Sequence, residues 1–222
     1  MLRDALLIAG KDLRLELRSR VAINQVLPFA LLVLVLFAFA LDPDKGVLAE
    51  ATPGLYWIAI LFSALLALQR SFAIEADDGN RDALRLSGLD PAGIFLGKVL
   101  SVAVQLLALE LLLGVGVTVL YSTRIDGWGL LIVTSIIATE SIAAAGTLFG
   151  VLAAGLRVRE TLLPLLLLPV LAPVLIASTR AFEAALNGSP SEGWPWVGLM
   201  SVFASLYIVA GVLGFGPLLE ES

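Results

Sequence analysis

The sequence predicts an all-α, polytopic integral membrane protein with six transmembrane helices that follow an N-terminal interfacial helix. Two observations lead to this fold class. Hydrophobic residues make up 59% of the chain and charged residues only 15%, which is more apolar surface than a soluble core of 222 residues can bury. Six apolar stretches also approach or exceed the length of about 20 residues that a helix needs to cross a bilayer.

The predicted spans lie at residues 21–41, 53–68, 94–121, 128–156, 161–179 and 195–218. The second is short and is expected to continue into residues 71–74, whereas the third and fourth are long enough to tilt or to project beyond the lipid. A full-length span follows the basic leader directly, without a small-residue cleavage site, so no cleaved signal peptide is expected. Residues 1–222 are therefore expected to form a single transmembrane domain.

The leader, residues 1–20, predicts a helix that lies in the plane of the lipid headgroups. Its basic residues fall largely on one helical face, and an apolar set falls near the other face, namely Leu2, Leu6, Ala9, Leu13 and Leu17. The segment DLRLELR taken alone alternates like a strand, which is the alternative interpretation.

The distribution of basic residues predicts that both termini are cytoplasmic. All but three of the 14 Lys and Arg residues fall on the side of the predicted spans that holds the termini. The exceptions are Lys45, Arg124 and Arg180. Aromatic residues, which favour the membrane boundary, cluster near the opposite side and agree with this orientation: Tyr56, Trp57, Tyr121, Trp128, Trp194 and Trp196.

The absence of certain residue types restricts the chemistry of this chain. It has no Cys and no His, so zinc, iron–sulfur and thiolate sites are excluded, and an axial haem ligand could come only from Met1, Met200 or an unusual donor. It also lacks a phosphate-binding G-x-x-x-x-G-K-[ST] loop, so any use of ATP must occur on another chain. The net charge of −5 does not favour nucleic acid as a partner. No catalytic residue and no metal site are predicted.

The segment 69–93, which begins QRSFAIEADDGNRDALRLSG, predicts a cytoplasmic loop that contains a short helix. Asp77 and Asp78 can cap that helix, Gly79 allows a sharp turn, and Asp82 falls in the first turn, where the helix dipole favours an acid. A helix joined to two spans would receive a force from a partner and transmit it to both spans. The alternative is a loop that is polar and basic only because it faces the cytoplasm.

Glu110 and Glu140 stand in the middle of the third and fourth spans. A charge at that depth is costly unless it is paired or hydrated, so both side chains are expected to face protein, roughly 16–18 Å from the nearer boundary. Helices joined by a short turn are neighbours, so the two carboxyls can share a proton or a hydrogen bond. Structural and functional roles both remain open.

Three prolines, Pro164, Pro169 and Pro173, fall in the fifth span and each removes a backbone donor from the helix. They predict either a hinge or a fixed kink. After this span, RAFEAALNG in the segment 180–194 predicts a separate short helix at the membrane boundary.

Three runs, in this order, carry a resemblance to a known family: TPGLYWIAILFSALLALQRSF, DDGNRDALRLSGLDPAGIFLGKVL and LPLLLLPVLAPVLIAS. Together they resemble CcmB, the permease subunit of the haem-exporter-type ABC system of cytochrome c maturation. The resemblance implies an ABC-2-like exporter permease of the bacterial inner membrane, without catalytic activity of its own. It identifies the loop helix as a coupling helix that docks on a partner ATPase, at the matching positions Asp78, Gly79, Asp82 and Leu84.

The same resemblance implies further partners. They are a haem-handling membrane subunit and, as an additional candidate, a second copy of this chain. Membrane lipid is a further expected partner. No directly bound cofactor is expected, and haem enters as a transported or partner-held ligand. Three other functions remain open. They are an ABC permease that exports a lipid, polysaccharide or drug, a proton-coupled secondary transporter that uses the two glutamates, and an intramembrane enzyme.

Overall fold

A computed structural model describes residues 1–19, 22–41, 46–76, 88–121, 125–154 and 159–221 of the chain. Within these ranges all the long elements are α-helices and there is no β-strand. The all-α fold class is therefore confirmed. The helices are α1 (Leu2–Ser19), α2 (Leu27–Ala40), α3 (Val47–Ala76), α4 (Pro91–Leu120), α5 (Trp128–Ala154), α6 (Arg159–Leu186) and α7 (Pro190–Glu221). A short π-helical segment, Ala22–Val26, precedes α2.

Helices α3 to α7 are each long and apolar enough to cross a membrane, and α1 with α2 makes a sixth candidate span that bends by 55°. The two helices on either side of the bend differ in how their polar and apolar residues are distributed. Along α1, polar and apolar residues segregate, whereas α2 is apolar on all sides. The protein is therefore a multi-pass membrane protein with five or six spans, in agreement with the sequence.

Two helix ends differ from the sequence prediction. The second span begins at Val47, before Pro53, and continues to Ala76, so residues 69–76 of the predicted loop belong to α3. The separate helix predicted at RAFEAALNG is wrong, because α6 continues without a break to Leu186. No glycine or proline lies between Pro173 and Leu186 to end the helix, and the first glycine after it, Gly188, adopts a φ of +72° in the turn to α7.

Helix α5 forms the centre of the bundle, where it contacts α3, α4, α6 and α7. Small side chains allow this close packing: Ala143, Ala144 and Ala145 are fully buried, and an added Cβ at Gly146 would lie 2.2 Å from a Leu68 methyl group. The small-residue stretch of α5 thus packs within the chain.

The two ends of the bundle can be defined from contacts between helices. At the first end, here called the termini end, Gly97 of α4 packs on α1 and Phe95 of α4 packs on Phe215 of α7. At the opposite end, the Gly127 N–H donates a hydrogen bond to the Ala185 carbonyl, 2.9 Å away. Both chain termini therefore lie at the termini end of the bundle.

The predicted aromatic boundary is correct only in part. Trp128 and Trp194, at the opposite end, expose about half of their surface. The boundary position predicted for Tyr56 and Trp57 is wrong: both are almost fully buried, and the Tyr56 ring stacks on Phe182 at a centroid distance of 4.7 Å. Because α3 begins at Val47, these two residues enter the core of the bundle instead of its rim.

Candidate functional site

Glu110 of α4 is the acid most deeply placed among the described residues, with only 4% of its surface exposed. Its Oε1 atom accepts a hydrogen bond from the Thr139 hydroxyl of α5. The Tyr56 hydroxyl of α3 donates to the Glu110 backbone carbonyl at 3.0 Å. Ser135 also lies beside the Glu110 carboxyl and the Tyr56 hydroxyl. We call these four residues the Glu110 cluster; it joins three helices in the middle of the bundle.

The predicted pairing of Glu110 with Glu140 is wrong for a geometric reason. Ser135 and Thr139 are separated by four residues, so they lie one turn apart on the same face of α5 and both face α4. Glu140 follows Thr139 and is therefore rotated by about 100° away from that face. Its side chain is half-buried, and the described residues contain no hydrogen bond between the two carboxyls.

A groove of about 340 Å³ runs along the outer surface of the α4–α5 pair and reaches the Glu110 cluster. Apolar residues form most of its walls, and Glu110, Tyr56 and Ser135 lie at its floor. The Glu110 carboxyl is buried there, and the hydroxyl groups of Thr139 and Ser135 are the hydrogen-bond donors that face it. These donors offset the cost of a carboxyl inside an apolar groove, since lipid tails cannot donate a hydrogen bond.

A second polar region lies at the termini end, where α1 contacts both α3 and α4. The Lys98 ammonium, only 2% exposed, lies 3.7 Å from an Asp12 carboxylate oxygen. Arg70, near the end of α3, lies 3.8 Å from Glu16. Because Asp12 and Glu16 are one turn apart on α1, a single face of this helix carries the acids that face Lys98 of α4 and Arg70 of α3.

A cavity of about 150 Å³ lies next to this second region, between α1, α3 and α4. Polar groups from all three helices line it, namely Glu16, Ser63, Arg70 and Gln105, with Gln25 from the π-helical segment. It extends along α3 from Ser63, near the middle of that helix, to Arg70, toward the termini end of the bundle.

The predicted coupling residues Asp78, Gly79, Asp82 and Leu84 lie outside the described residues. The helices that flank them are described. Helix α3 ends at Ala76, and α4 begins after Asp90, whose carboxylate accepts a hydrogen bond from the Ala92 N–H at 3.1 Å. Asp90 is thus the N-cap of α4, with Pro91 at the first helical position, where a proline is well tolerated.

The three prolines of α6 lie inside a continuous helix. The Tyr207 hydroxyl of α7 donates a hydrogen bond to the Val170 carbonyl, between Pro169 and Pro173, at 2.7 Å. This bond attaches the proline-rich half of α6 to the neighbouring helix. Pro164 lies one and a half turns before Pro169 on the same helix.

Several of these residues were not identified from the sequence. Thr139, Ser135 and Tyr56 are ordinary residues for membrane helices, and only the spacing of the two hydroxyl residues across from Glu110 could have indicated their role. Met200, one of the few conceivable axial ligands for haem, is fully buried in the hydrophobic core. No cluster of three or more potential metal ligands occurs within the described ranges.

The similarity of this chain to known proteins extends from α1 into α7. The family model described as "CcmB protein" matches residues 3–215. A protein named Heme exporter protein B from Haemophilus influenzae is 32% identical over 186 residues, which cover 84% of each chain. Its namesake from Paracoccus denitrificans is 31% identical over 194 residues, covering 83% of this chain and 84% of that protein.

The Heme exporter protein B of Escherichia coli K12 is 32% identical over 183 residues, which cover 82% of this chain and 83% of that protein. The family model includes the leader helix, both polar regions and the proline-rich helix, so the similarity is not confined to generic apolar spans. Since the family model extends from the first turn of α1 into the last turns of α7, the chain belongs to the CcmB protein family.

Proposed function

We propose that this chain is the membrane permease subunit of an ABC transporter that exports haem for cytochrome c maturation. The observation that carries the proposal is the match of the family model to residues 3–215, together with 32% identity to proteins named Heme exporter protein B over 82–84% of the chain. The chain has no nucleotide-binding loop of its own, so a partner ATPase would supply the energy. The chain itself transmits movement and performs no catalysis.

The termini end of the bundle supports this mechanical role. The proposed coupling helix, with Asp78, Gly79, Asp82 and Leu84, connects α3 to α4. Glu16 of α1 faces Arg70 on the α3 side of this connection, and Asp12 faces Lys98 on the α4 side, each at ion-pair distance. A displacement of the coupling helix would therefore move α1, α3 and α4 together instead of bending one connection.

Haem is proposed as a transported or partner-held ligand and not as a resident cofactor of this chain. The chain lacks His and Cys, the usual side-chain ligands of haem iron besides Met and Tyr. Met200 is enclosed by the core, and the hydroxyl groups of Tyr56, Tyr121 and Tyr207 are all hydrogen-bonded to backbone carbonyls. A separate haem-handling membrane subunit is therefore part of the proposed assembly.

The distribution of Lys and Arg supports an inner-membrane location with both termini in the cytoplasm. A cytoplasmic ATPase could then reach the coupling helix directly. The bond between Glu110 and Thr139 gives no support to the pair with Glu140 that the proton-coupled alternative would use.

Leu84→Asp tests the coupling role. It places a charge on the surface expected to enter an apolar groove of the ATPase, where an unpaired buried charge is strongly unfavourable. We expect membrane insertion to remain normal, while co-purification of the ATPase and the content of c-type cytochromes fall. Ala83→Asp adds the same charge one position earlier and should have a smaller effect.

Two results would contradict the proposal. Normal cytochrome c maturation in cells with Leu84→Asp would exclude the coupling role of this residue. Normal maturation after deletion of the whole gene would exclude haem export as the function and favour another exported substrate.

A further inference from the structure

The cavity of about 150 Å³ between α1, α3 and α4 has both polar and apolar walls. Charged and amide side chains of Glu16, Arg70 and Gln105 line one part of it. Apolar side chains line another part, namely Val26, Leu66, Leu106 and Leu109. One water takes about 30 Å³, so the cavity has room for a small polar headgroup. A ligand that suits this cavity is amphiphilic.

The cavity lies where the chain passes from α1 into α2. Glu16 belongs to the last turn of α1, and Gln25 and Val26 directly precede α2. An amphipathic helix such as α1 favours the headgroup level, whereas α2 is apolar on all sides and suits the hydrocarbon. The junction is therefore at the boundary between headgroups and acyl chains. Leu66, which is exposed on the surface of α3, opens the cavity to lipid.

Arg70 brings hydrogen-bond donors to this cavity that the described residues do not use. Its Nε atom is buried and has no hydrogen-bond partner among them. The distance of 3.8 Å from Nε to the Glu16 carboxylate suits an ion pair but is too long for a hydrogen bond. A guanidinium at the headgroup level is well suited to phosphate, because its N–H groups match the phosphate oxygens.

A smaller cavity of about 30 Å³ adjoins the first and shares Glu16 and Gln105 with it. Asp12 also lines this smaller cavity. Its Oδ1 atom lies 3.0 Å from Lys11, whereas its Oδ2 atom is buried, lies 3.7 Å from Lys98 and accepts no hydrogen bond within the described ranges. Asp12 and Glu16 are about 6 Å apart along α1. Their carboxylates form an end of the site that suits a hydrogen-bond donor.

This arrangement distinguishes between phospholipid headgroups. A lipid phosphate can accept from Arg70, and a primary ammonium can donate to Glu16 and Asp12. Phosphatidylethanolamine carries both groups, joined by a short carbon chain. Phosphatidylcholine has a quaternary ammonium without an N–H to donate. Phosphatidylglycerol has no cation and would place a net negative charge beside the two carboxylates.

We propose that the cavity between α1, α3 and α4 binds a phosphatidylethanolamine molecule. Its phosphate contacts Arg70, its ammonium group faces Glu16 and Asp12, and an acyl chain follows the apolar wall. The bound lipid contacts all three helices and so stabilises the position of α1 against α3 and α4. The site does not depend on the exported substrate, so failure of haem export as the function would leave it in place.

Native mass spectrometry of the full-length protein, released from detergent micelles, tests the proposal. Phosphatidylethanolamine, phosphatidylcholine and phosphatidylglycerol with identical acyl chains are added separately, and the protein–lipid complexes are counted. We expect phosphatidylethanolamine to bind about three- to tenfold more tightly than either of the others, as one hydrogen bond ordinarily gives. It should also raise the midpoint of thermal unfolding more than the other two lipids.

Three variants locate the site. Arg70→Met removes the donors, and Ala67→Leu fills part of the cavity without a change of charge, so both should abolish the preference for phosphatidylethanolamine. Arg70→Lys, which keeps a cation that can donate, should retain part of it and guards against a folding defect in Arg70→Met. Arg14→Met is the matched control, because Arg14 is an exposed base of α1 outside both cavities.

Equal binding of the three lipids would overturn the proposal, and so would tighter binding of phosphatidylglycerol, which would indicate general attraction of anions. A preference for phosphatidylethanolamine that survives in Arg70→Met or in Ala67→Leu would place the lipid elsewhere on the protein. Loss of the preference in Arg14→Met to the same extent as in Arg70→Met would likewise contradict a site in this cavity.

Discussion

At the scale of single residues, the hydrogen bonds of Glu110 explain how its carboxyl is accommodated inside the bundle. Its carboxyl is almost completely buried, and a hydroxyl from the neighbouring helix satisfies one of its oxygens. In a bilayer such interhelical bonds contribute only about 0.6–2 kcal/mol, because the polar groups of the separated helices also find other partners. The Glu110–Thr139 bond is therefore one of the specific contacts that fix α4 against α5.

The bond between Glu110 and Thr139 can be measured with a double-mutant cycle. Thr139→Val removes the hydroxyl without a large change of volume, and Glu110→Leu removes the acceptor. Each single change should lower the free energy of unfolding by about 1–3 kcal/mol, and the double change should cost less than the sum. Thermal unfolding in detergent provides the measurement.

Thr52→Val is the matched control for this cycle, since its hydroxyl donates to the Leu48 carbonyl of its own helix. Combined with Glu110→Leu, it should give additive effects. Additivity for Thr139→Val as well would show that the two side chains do not interact.

The Glu110 cluster also shows how far the sequence could predict a site. A mid-span glutamate is conspicuous, so its burial was predictable from the cost of a charge in lipid. Its partner was not, because Thr139 and Glu140 are adjacent in sequence and only the rotation of α5 decides which of them faces α4. That rotation depends on the packing of the whole bundle, which no local pattern reports.

At the scale of elements, the close contact between α1 and α4 depends on Gly97, because a glycine has no side chain. A Cβ at Gly97 would lie 2.6 Å from the Ala5 carbonyl oxygen and 2.7 Å from Ile8 Cβ. Only glycine allows the two backbones to approach so closely. The approach in turn brings Asp12 to the buried Lys98. The amphipathic α1 thus directs one face to protein, while Leu2, Leu6 and Leu17 remain exposed for lipid.

Gly97→Ala should displace α1 from α4. Overpacking at this contact is expected to cost about 1–3 kcal/mol of stability, more than the gain from a better helix former. If α1 transmits movement from the coupling helix, the content of c-type cytochromes should fall more than the amount of folded protein. Gly198→Ala, where the added Cβ would meet no atom within 4 Å, is the control. Equal behaviour of the two variants would contradict a role for this contact.

The prolines of helix α6 are explained either by a hinge or by a fixed kink. Tyr207 donates to the Val170 carbonyl, so the proline region moves only if this bond breaks or if α7 moves with it. For a hinge, Pro169→Ala together with Pro173→Ala should reduce cytochrome c maturation at normal folded yield, because a regular helix resists bending. Pro195→Ala in α7 serves as the control.

Tyr207→Phe separates the two cases further. A fixed kink predicts only a loss of about 0.5–1.5 kcal/mol of stability from the missing hydrogen bond, with maturation unchanged. Unchanged maturation in both the double alanine variant and Tyr207→Phe would therefore exclude the hinge.

At the scale of the whole molecule, composition and apolar length were sufficient to predict an all-α membrane bundle. The lengths of individual helices were harder to predict. The second span was expected to begin at Pro53, but α3 begins at Val47 and includes Pro53 as an interior residue, which removes one backbone donor without ending the helix. The burial of Tyr56 and Trp57 follows from that earlier start, and it depends on the stacking with Phe182 of α6, more than 120 residues later in the chain.

The orientation of the bundle is the prediction on which the coupling role depends. Both termini lie at one end, together with most of the basic residues that the structure describes, and the exposed Trp128 and Trp194 lie at the other. Since the chain contains no Cys, Ser87→Cys and Ser189→Cys can be labelled in intact cells without removal of native thiols. Ser189 precedes α7 in the turn that follows α6, at the end opposite the termini.

An impermeant maleimide should label Ser189→Cys in intact cells and should label Ser87→Cys only after the membrane is opened. Leu206→Cys, within a span, should resist the aqueous reagent in both conditions and so reports on nonspecific labelling. The opposite pattern would place the connection between α3 and α4 outside the cell. No cytoplasmic ATPase could then reach Leu84, so this one measurement decides whether the bundle can be driven in the proposed way.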